Sequence, residues 1–256
     1  MAEDVLLRVT DLHKHFMVLK RKETALRFLK SVIKREPMRR SLEVLNGVSF
    51  DVKRGEKIAL IGLNGEGKST LLRVIAGIYT STTGSVDLKG SVSALFQTIL
   101  GMNGDLSVVD NIYLYGAVHG LKRSELTPKL HEILKFSNLR ETMFSPLKEL
   151  SAGQKQRLSL SVFLRTRADL MIVDESLAYL DKVFLKQYDS YFEKHLSDPT
   201  KTLLLVSHEP DYIRRFTNRV LWLKDGKVYR DGETESVLSE YEIFCKNEAE
   251  HKKVHA

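Results

Sequence analysis

Residues 57 to 70, Lys-Ile-Ala-Leu-Ile-Gly-Leu-Asn-Gly-Glu-Gly-Lys-Ser-Thr, carry the clearest chemistry in the chain. Gly62, Gly67, Lys68 and Ser69 fit the spacing G-x-x-x-x-G-K-[ST] without a mismatch. Glycines at those places let the backbone curl until successive N–H groups point inward at an anion. The amides that open the following helix add partial positive charge at the same spot. Lys68 can then reach the β- and γ-phosphates of a nucleoside triphosphate, and the Ser69 hydroxyl can ligate Mg²⁺. A glycine-rich turn matches this pattern by accident with a probability on the order of one percent in a chain this long. The apolar run before the loop and the helical pattern after it lower that further. The stretch reads as a nucleoside triphosphate site.

Hydrolysis of MgATP also needs a metal ligand, a polarised water and a sensor of the γ-phosphate. Ala168-Asp-Leu-Met-Ile-Val-Asp174-Glu175 places two acids at the carboxyl end of a buried strand, the edge where a parallel α/β sheet binds its ligands. Asp174 is suited to hold Mg²⁺, usually through water. Glu175 is placed to orient or deprotonate the attacking water. Thr202 to Val206 repeats the pattern and delivers Ser207 and His208 to the same edge, where His208 can hold the γ-phosphate. Gln97 ends the strand pattern Val92 to Phe96 and could ligate Mg²⁺ or the water through its amide oxygen. A lone Gln after a strand is usually a solvated end, and a lone His is more often structural. Two acids after an apolar strand, with no basic partner nearby in sequence, are more telling. Phe16, ahead of the phosphate loop, either stacks on a purine base or packs in the core.

The elements that must position these residues alternate strand and helix. Strands are predicted over residues 5–10, 45–52, 58–61, 85–88, 92–96, 170–173 and 202–206. Arg219 to Leu223 and Val228 to Arg230 form a hairpin about Asp225-Gly226. Residues 107–150 carry helical patterns, Val108 to Tyr115 and Leu126 to Phe136 among them, and read as a helical subdomain inserted into the nucleotide-binding core. Leu26, Leu29, Val32 and Ile33 recur with helical period between basic residues, so an amphipathic helix is predicted over 23–36, ending before Pro37. From Val237 the chain is polar, helical to about Phe244 and frayed beyond.

The chain has 256 residues and a net charge of +7. Lys14 to Arg40 holds ten Lys or Arg against Glu23 and Glu36, a net +8, which leaves −1 for the rest. Such a block fits a membrane surface with anionic headgroups, nucleic acid, or simply a solvated helix face. The single cysteine, Cys245, forms no internal disulfide, which fits a reducing cytoplasm. No apolar run approaches the roughly 18 residues needed to span a bilayer, and no signal peptide is visible. A membrane role therefore needs a membrane part from another chain.

Leu150-Ser-Ala-Gly-Gln154, followed by Lys155-Gln-Arg-Leu-Ser-Leu, adds a further motif. Together with the phosphate loop, Gln97, Asp174-Glu175, Ala178-Tyr-Leu-Asp181 and Ser207-His208, the order resembles an ATP-binding cassette (ABC) ATPase from about residue 5 to 235. The resemblance implies an α/β fold, a single ABC nucleotide-binding domain over 1–256. It would have a RecA-like phosphate-loop core, an antiparallel β subdomain and an inserted helical subdomain at 98–160. Residues 17–44 would be a basic helical insertion, and 237–256 a C-terminal helix and tail. It implies ATP and Mg²⁺ as cofactors, bound by Phe16, Gly62, Asn64, Gly65, Gly67, Lys68, Ser69 and Thr70, with Ser69, Gln97 and Asp174 at the metal. Glu175, His208 and Gln97 would be catalytic. It also implies a head-to-tail homodimer in which Ser151, Gly153, Gln154 and Asp181 act across the interface on the partner's ATP.

The basic insertion, Gly101 to Tyr113, Phe144 to Gly153 and Asp174 to Phe184 are similar to the ATPases that export O-antigen polysaccharides, capsule and teichoic acids. That subfamily usually reads Tyr-Ser-Ser-Gly-Met where this chain has Leu150-Ser-Ala-Gly-Gln154, and Gly where it has Leu180. It also often has a Glu near the Gln97 position. The similarity implies two copies of a separate transmembrane permease as partners, a lipid-linked glycan as substrate, a peripheral place on the cytoplasmic face of the membrane, and no nucleic acid. With the chain stopping at 256, no appended carbohydrate-binding domain is expected. An ABC transporter ATPase for a lipid, drug or small solute is the alternative. A soluble ABC ATPase acting on ribosomes or DNA is disfavoured by the lack of a second cassette, coiled coils or zinc motifs.

Overall fold

A computed structural model describes residues 4–19, 39–96, 101–174 and 181–254. Gln97, Glu175 and the predicted helix at 23–36 lie outside the described residues.

Two sheets carry the fold. Three antiparallel strands, β1 (Val5–Leu19), β2 (Arg39–Lys53) and β4 (Thr83–Leu88), pair in the order β2-β1-β4. The second sheet has the order β5-β6-β7-β3-β8-β9. Its members are β3 (Lys57–Ile61), β5 (Val92–Leu95), β6 (Leu170–Asp174), β7 (Thr202–Val206), β8 (Arg219–Lys224) and β9 (Lys227–Glu233). Its pairings are parallel except β8–β9, the hairpin expected from the Asp225-Gly226 turn.

The apolar runs are continuous because both faces of the second sheet are covered. Ile58, Leu60, Leu170, Ile172, Leu204 and Val206 face β1, β2 and helix α1 (Lys68–Ile75), where Leu71 and Leu72 join them. Met171, Val173, Leu203 and Leu205 face the opposite way. They pack on Leu160 and Phe163 of α5 (Ala152–Phe163) and on Phe184, Tyr188 and Phe192 of α6 (Lys182–Leu196). Alternate residues of β3 and β8, Ala59, Ile61, Val220 and Trp222, meet α7 (Pro210–Phe216) and α8 (Thr234–Val254).

Between β5 and β6 lie α2 (Val108–Val118), α3 (Arg123–Leu126) and α4 (Leu130–Phe136). They share a core of their own, with Val108, Ile112, Leu126 and Ile133 around Leu158 and Val162 of α5. That helix continues past residue 160 and serves both cores from different faces, Leu158 and Val162 joining the helical cluster and Leu160 and Phe163 the sheet core. Among the described residues no helix is long and apolar enough to cross a membrane.

Three elements differ from those the sequence predicts. Met17 to Leu19 and Arg39 to Val44 are strand rather than helical insertion, since β1 and β2 stay paired out to Leu19 opposite Arg39. The pattern Leu126 to Phe136 is broken by a 3₁₀ turn at Thr127–Lys129, where Pro128 lacks the N–H a continuous helix needs. Helix α8 runs to Val254 rather than fraying after Phe244. Its start is held by Leu238 in the core, by Arg214–Glu235 at 2.9 Å and by Arg230–Glu240 at 3.2 Å.

Candidate functional site

The phosphate loop is the turn between β3 and α1. Gly67 caps α1 in the left-handed region, at φ 93°, with no side-chain hydrogen bond to the helix amides and no acid in the first turn. The helix start therefore keeps its N–H groups and partial positive charge for an anion. A Cβ at Gly67 would stand 2.7 Å from the Val44 carbonyl oxygen. Only glycine allows β2 to pass that closely beneath the loop. Across that strand, Asn46 donates its N–H to the Gly226 carbonyl at 2.8 Å, and Asp225 donates its N–H to the Glu66 carboxylate. The β8–β9 turn thus buttresses the loop, a role its Asp-Gly sequence did not announce.

Lys68 is only 7% exposed. Its ammonium donates to the carbonyls of Gly62 at 2.7 Å and Leu63 at 3.0 Å, so the loop wraps its own lysine. Ser69 and Thr70 follow in the first turn of α1, half-buried. Asn64 and Gly65 are exposed and line a hollow with Glu43, Asn46, Asp225 and Gly226.

The sheet register brings the other candidates to the same edge. Ala59 stands opposite Leu205, so three residues further along the two chains His208 comes level with Gly62. Asp174, the last residue of β6, pairs with Val206 and is 4% exposed. Gly62, Lys68, Ser207 and His208 line one cleft of about 390 Å³, whose far wall is Ile213 of α7 and Tyr241 of α8. Lys68, Asp174 and His208 thus come from three neighbouring strand ends. A lysine wrapped by backbone carbonyls, a helix start without a side-chain cap and a buried carboxylate at the adjoining strand end fit a magnesium–triphosphate group in charge and donor type. Among the described residues no cluster of His, Cys, Asp and Glu forms a metal cage of its own.

The remaining candidates sit elsewhere. Ser151 caps α5, its hydroxyl accepting the Gln154 N–H at 3.2 Å while the Gln154 amide oxygen accepts the Ser151 N–H at 2.9 Å. Gly153 lies in the same first turn. Asp181 caps α6 through the amides of Val183 and Phe184, at 3.1 and 2.9 Å. The Phe184 bond, with the Arg157 charge behind it, holds the Asp181 carboxyl below the usual carboxylate range. None of these four residues lines the cleft that holds Lys68 and His208. Phe16 is half-buried on β1, edge-on to Tyr79 at 5.7 Å, with the Lys14 ammonium 4.9 Å from its ring centre. It neither enters the core clusters nor lines the cleft.

Sequence reasoning missed Val44, the Asp225-Gly226 turn and Tyr241, all of which reach the phosphate loop from elements distant in the chain. Only the turn carried a local signal, and that signal was for a turn.

Comparison with known proteins gives a family match described as ABC transporter over residues 45–178. The teichoic acids export ATP-binding protein TagH of Lactococcus lactis is 40% identical over 201 residues, spanning 78% of this chain and 42% of that protein. The TagH of Bacillus anthracis is 34% identical over 202 residues, 79% of this chain and 36% of its own. That of Staphylococcus epidermidis is 34% identical over 203 residues and is matched over 76% of its length. The chain thus spans less than half the length of the first two relatives. Among solved structures, an ATP-binding subunit of an ABC transporter superposes with a TM-score of 0.72 at 23% identity, covering 92% of this chain and 93% of that one. A dimeric ATP-binding cassette in a post-hydrolysis state, bound to ADP and Pi, gives 0.69 at 21% identity, covering 89% and 98%. At these identities the structural likeness speaks for the fold.

Proposed function

The chain belongs to the ABC transporter family of ATP-binding proteins, and on that premise we propose that it hydrolyses ATP to drive export of a cell-surface glycan. The glycan is a teichoic acid or a related lipid-linked polymer such as O-antigen or capsule, and a separate transmembrane permease carries it. The observation that supports the ATPase half is the single sheet edge to which three neighbouring strands bring Lys68, Asp174 and His208, the first and last of them lining one cleft. The one that carries the glycan half is the 34–40% identity to proteins named for teichoic acids export.

In this reading Lys68 and the amides of Gly62 to Thr70 bind and orient the triphosphate, and Ser69, Asp174 and Gln97 hold Mg²⁺, which neutralises charge on the phosphates. Glu175 takes the proton of the attacking water, and His208 holds the γ-phosphate. Asn64 and Gly65 shape the mouth of the loop, and Phe16 is the candidate ring for the base. Ser151, Gly153, Gln154 and Asp181 act on the nucleotide of a second copy. This accounts for their place outside the cleft of their own chain. The Ser151 hydroxyl, already accepting from Gln154, retains its proton to donate to a phosphate oxygen. Closure of two copies on ATP and opening after hydrolysis then works the permease from the cytoplasmic face.

The test is ATPase activity in membranes that co-express the candidate permease, with and without the lipid-linked glycan. Stimulation by glycan is expected. Activity indifferent to glycan but raised by a lipid, drug or small solute would shift the assignment to another ABC transporter.

A further inference from the structure

Helix α8 does more than cover an apolar face. Leu238 is buried with Ala59 and Ile61 of β3 and with Ile213 of α7, so the helix is seated on both elements at once. One turn on, Tyr241 packs edge-on against Trp222 at 5.1 Å. Tyr241 lines the same cleft as Gly62 and Cys245, and burial pushes its phenol up from the ordinary value. The next residue, Glu242, takes Arg214 of α7 at 3.2 Å, and Glu235 takes the same guanidinium at 2.9 Å. Helix α7 begins at Pro210, two residues after His208.

Two adjacent residues of α8 therefore reach the two elements that converge on the phosphate site. Tyr241 meets the loop that wraps Lys68, and Glu242 grips the helix that continues from His208. Lys68, His208, Tyr241 and Glu242 all line the one cleft of about 390 Å³.

We propose that Tyr241 and the Arg214–Glu242 pair are positioning residues, and that α8 is a strap setting the spacing between the phosphate loop and His208. The inference rests on the nucleotide reading above and names a control built into that site. Loop amides and His208 must meet the same phosphate, and such contacts weaken when their relative placement drifts by a fraction of an ångström. Arg214 bridges two carboxylates of one helix, so it resists rotation of α8 in a way that a single half-exposed pair would not. Anything that lifts α8 loosens the grip on the loop and on the His208 element together. The seating of this helix is thereby read out as nucleotide affinity.

The experiment uses the full chain and the variants Tyr241→Phe and Glu242→Gln. It measures MgADP and MgATP dissociation constants, kcat, KM and the thermal midpoint. Tyr241→Phe keeps the ring on Trp222 and removes only the hydroxyl. It should raise Kd and KM about threefold to tenfold, the value of one polar contact. The expected change in kcat is below about twofold, with the midpoint nearly unchanged. Glu242→Gln should move Kd and KM in the same direction. A Tyr241→Phe chain with native Kd and KM, or losses that only follow a falling midpoint in both variants, would overturn the strap while leaving the nucleotide site standing. A native chain that binds neither nucleotide would overturn the nucleotide reading and the strap with it.

Discussion

Arg157, on the helix that starts after Ser151, stands 3.8 Å from Asp181, the residue that caps the next long helix. The two helix starts that carry the cross-subunit candidates are thereby tied within one chain. Asp181→Ala removes the cap and releases Arg157, and the melting midpoint should fall by a few degrees. Arg157→Gln should cost less, because its long, partly exposed pair contributes little alone. Thermal unfolding of the double variant should match Asp181→Ala, since both changes break the same link. Additive losses would contradict that link.

The glycines of the phosphate loop differ in what they avoid. Gly65 has φ 92° and nothing within 4 Å of a Cβ, so Gly65→Ala should cost about 1–2 kcal/mol from the left-handed backbone alone. Gly67 has φ 93° and also the Val44 carbonyl at 2.7 Å. Gly67→Ala must therefore move β2 or the loop. It should unfold at clearly lower urea than Gly65→Ala and lose nucleotide binding more completely.

Lys68 is enclosed by the loop it serves. Lys68→Ala should weaken MgATP binding by about 100-fold or more, the scale of losing two charge-assisted bonds. Lys68→Arg should not restore it. The larger planar guanidinium has to fit where the native lysine is 7% exposed and already bonded to Gly62 and Leu63. Calorimetric titration of both variants checks this.

His119 ends α2 beneath β5, with its Nδ1 2.7 Å from the Ser93 hydroxyl and its Nε2 buried without a hydrogen-bond partner. Burial pushes this imidazole down to about 4 from 6.5. Between those values the unfolded chain binds a proton that the folded chain refuses. Stability should therefore fall as pH drops through that window and level off below it. Urea unfolding at several pH values should show a shallower fall for His119→Asn than for the native chain. Parallel curves would contradict the assignment.

Much of this arrangement is legible in the sequence. The strand-loop-helix around Lys68 and the apolar runs ending at Asp174 and Val206 are continuous signals, because a sheet covered on both faces needs unbroken apolar strands. Other features are set by contacts that no local pattern encodes. Val44 under Gly67, Asp225 against Glu66 and Tyr241 against Gly62 join residues far apart along the chain. The extra length of β1 and β2 has the same origin. Met17 and Arg40 look in sequence like part of the basic helical insertion, and each is held in strand by the neighbouring strand it pairs with.

Cooperation between one chain's phosphate loop and the other chain's Ser151 is tested most directly by ATP hydrolysis in a mixture of Lys68→Ala and Ser151→Ala chains. Each variant alone should be nearly inactive. In a mixed dimer the intact Lys68 of one copy meets the intact Ser151 of the other, so random pairing should restore up to about a quarter of native activity. A mixture as inactive as its components, under conditions where the native chain hydrolyses ATP, would contradict a site shared between two copies.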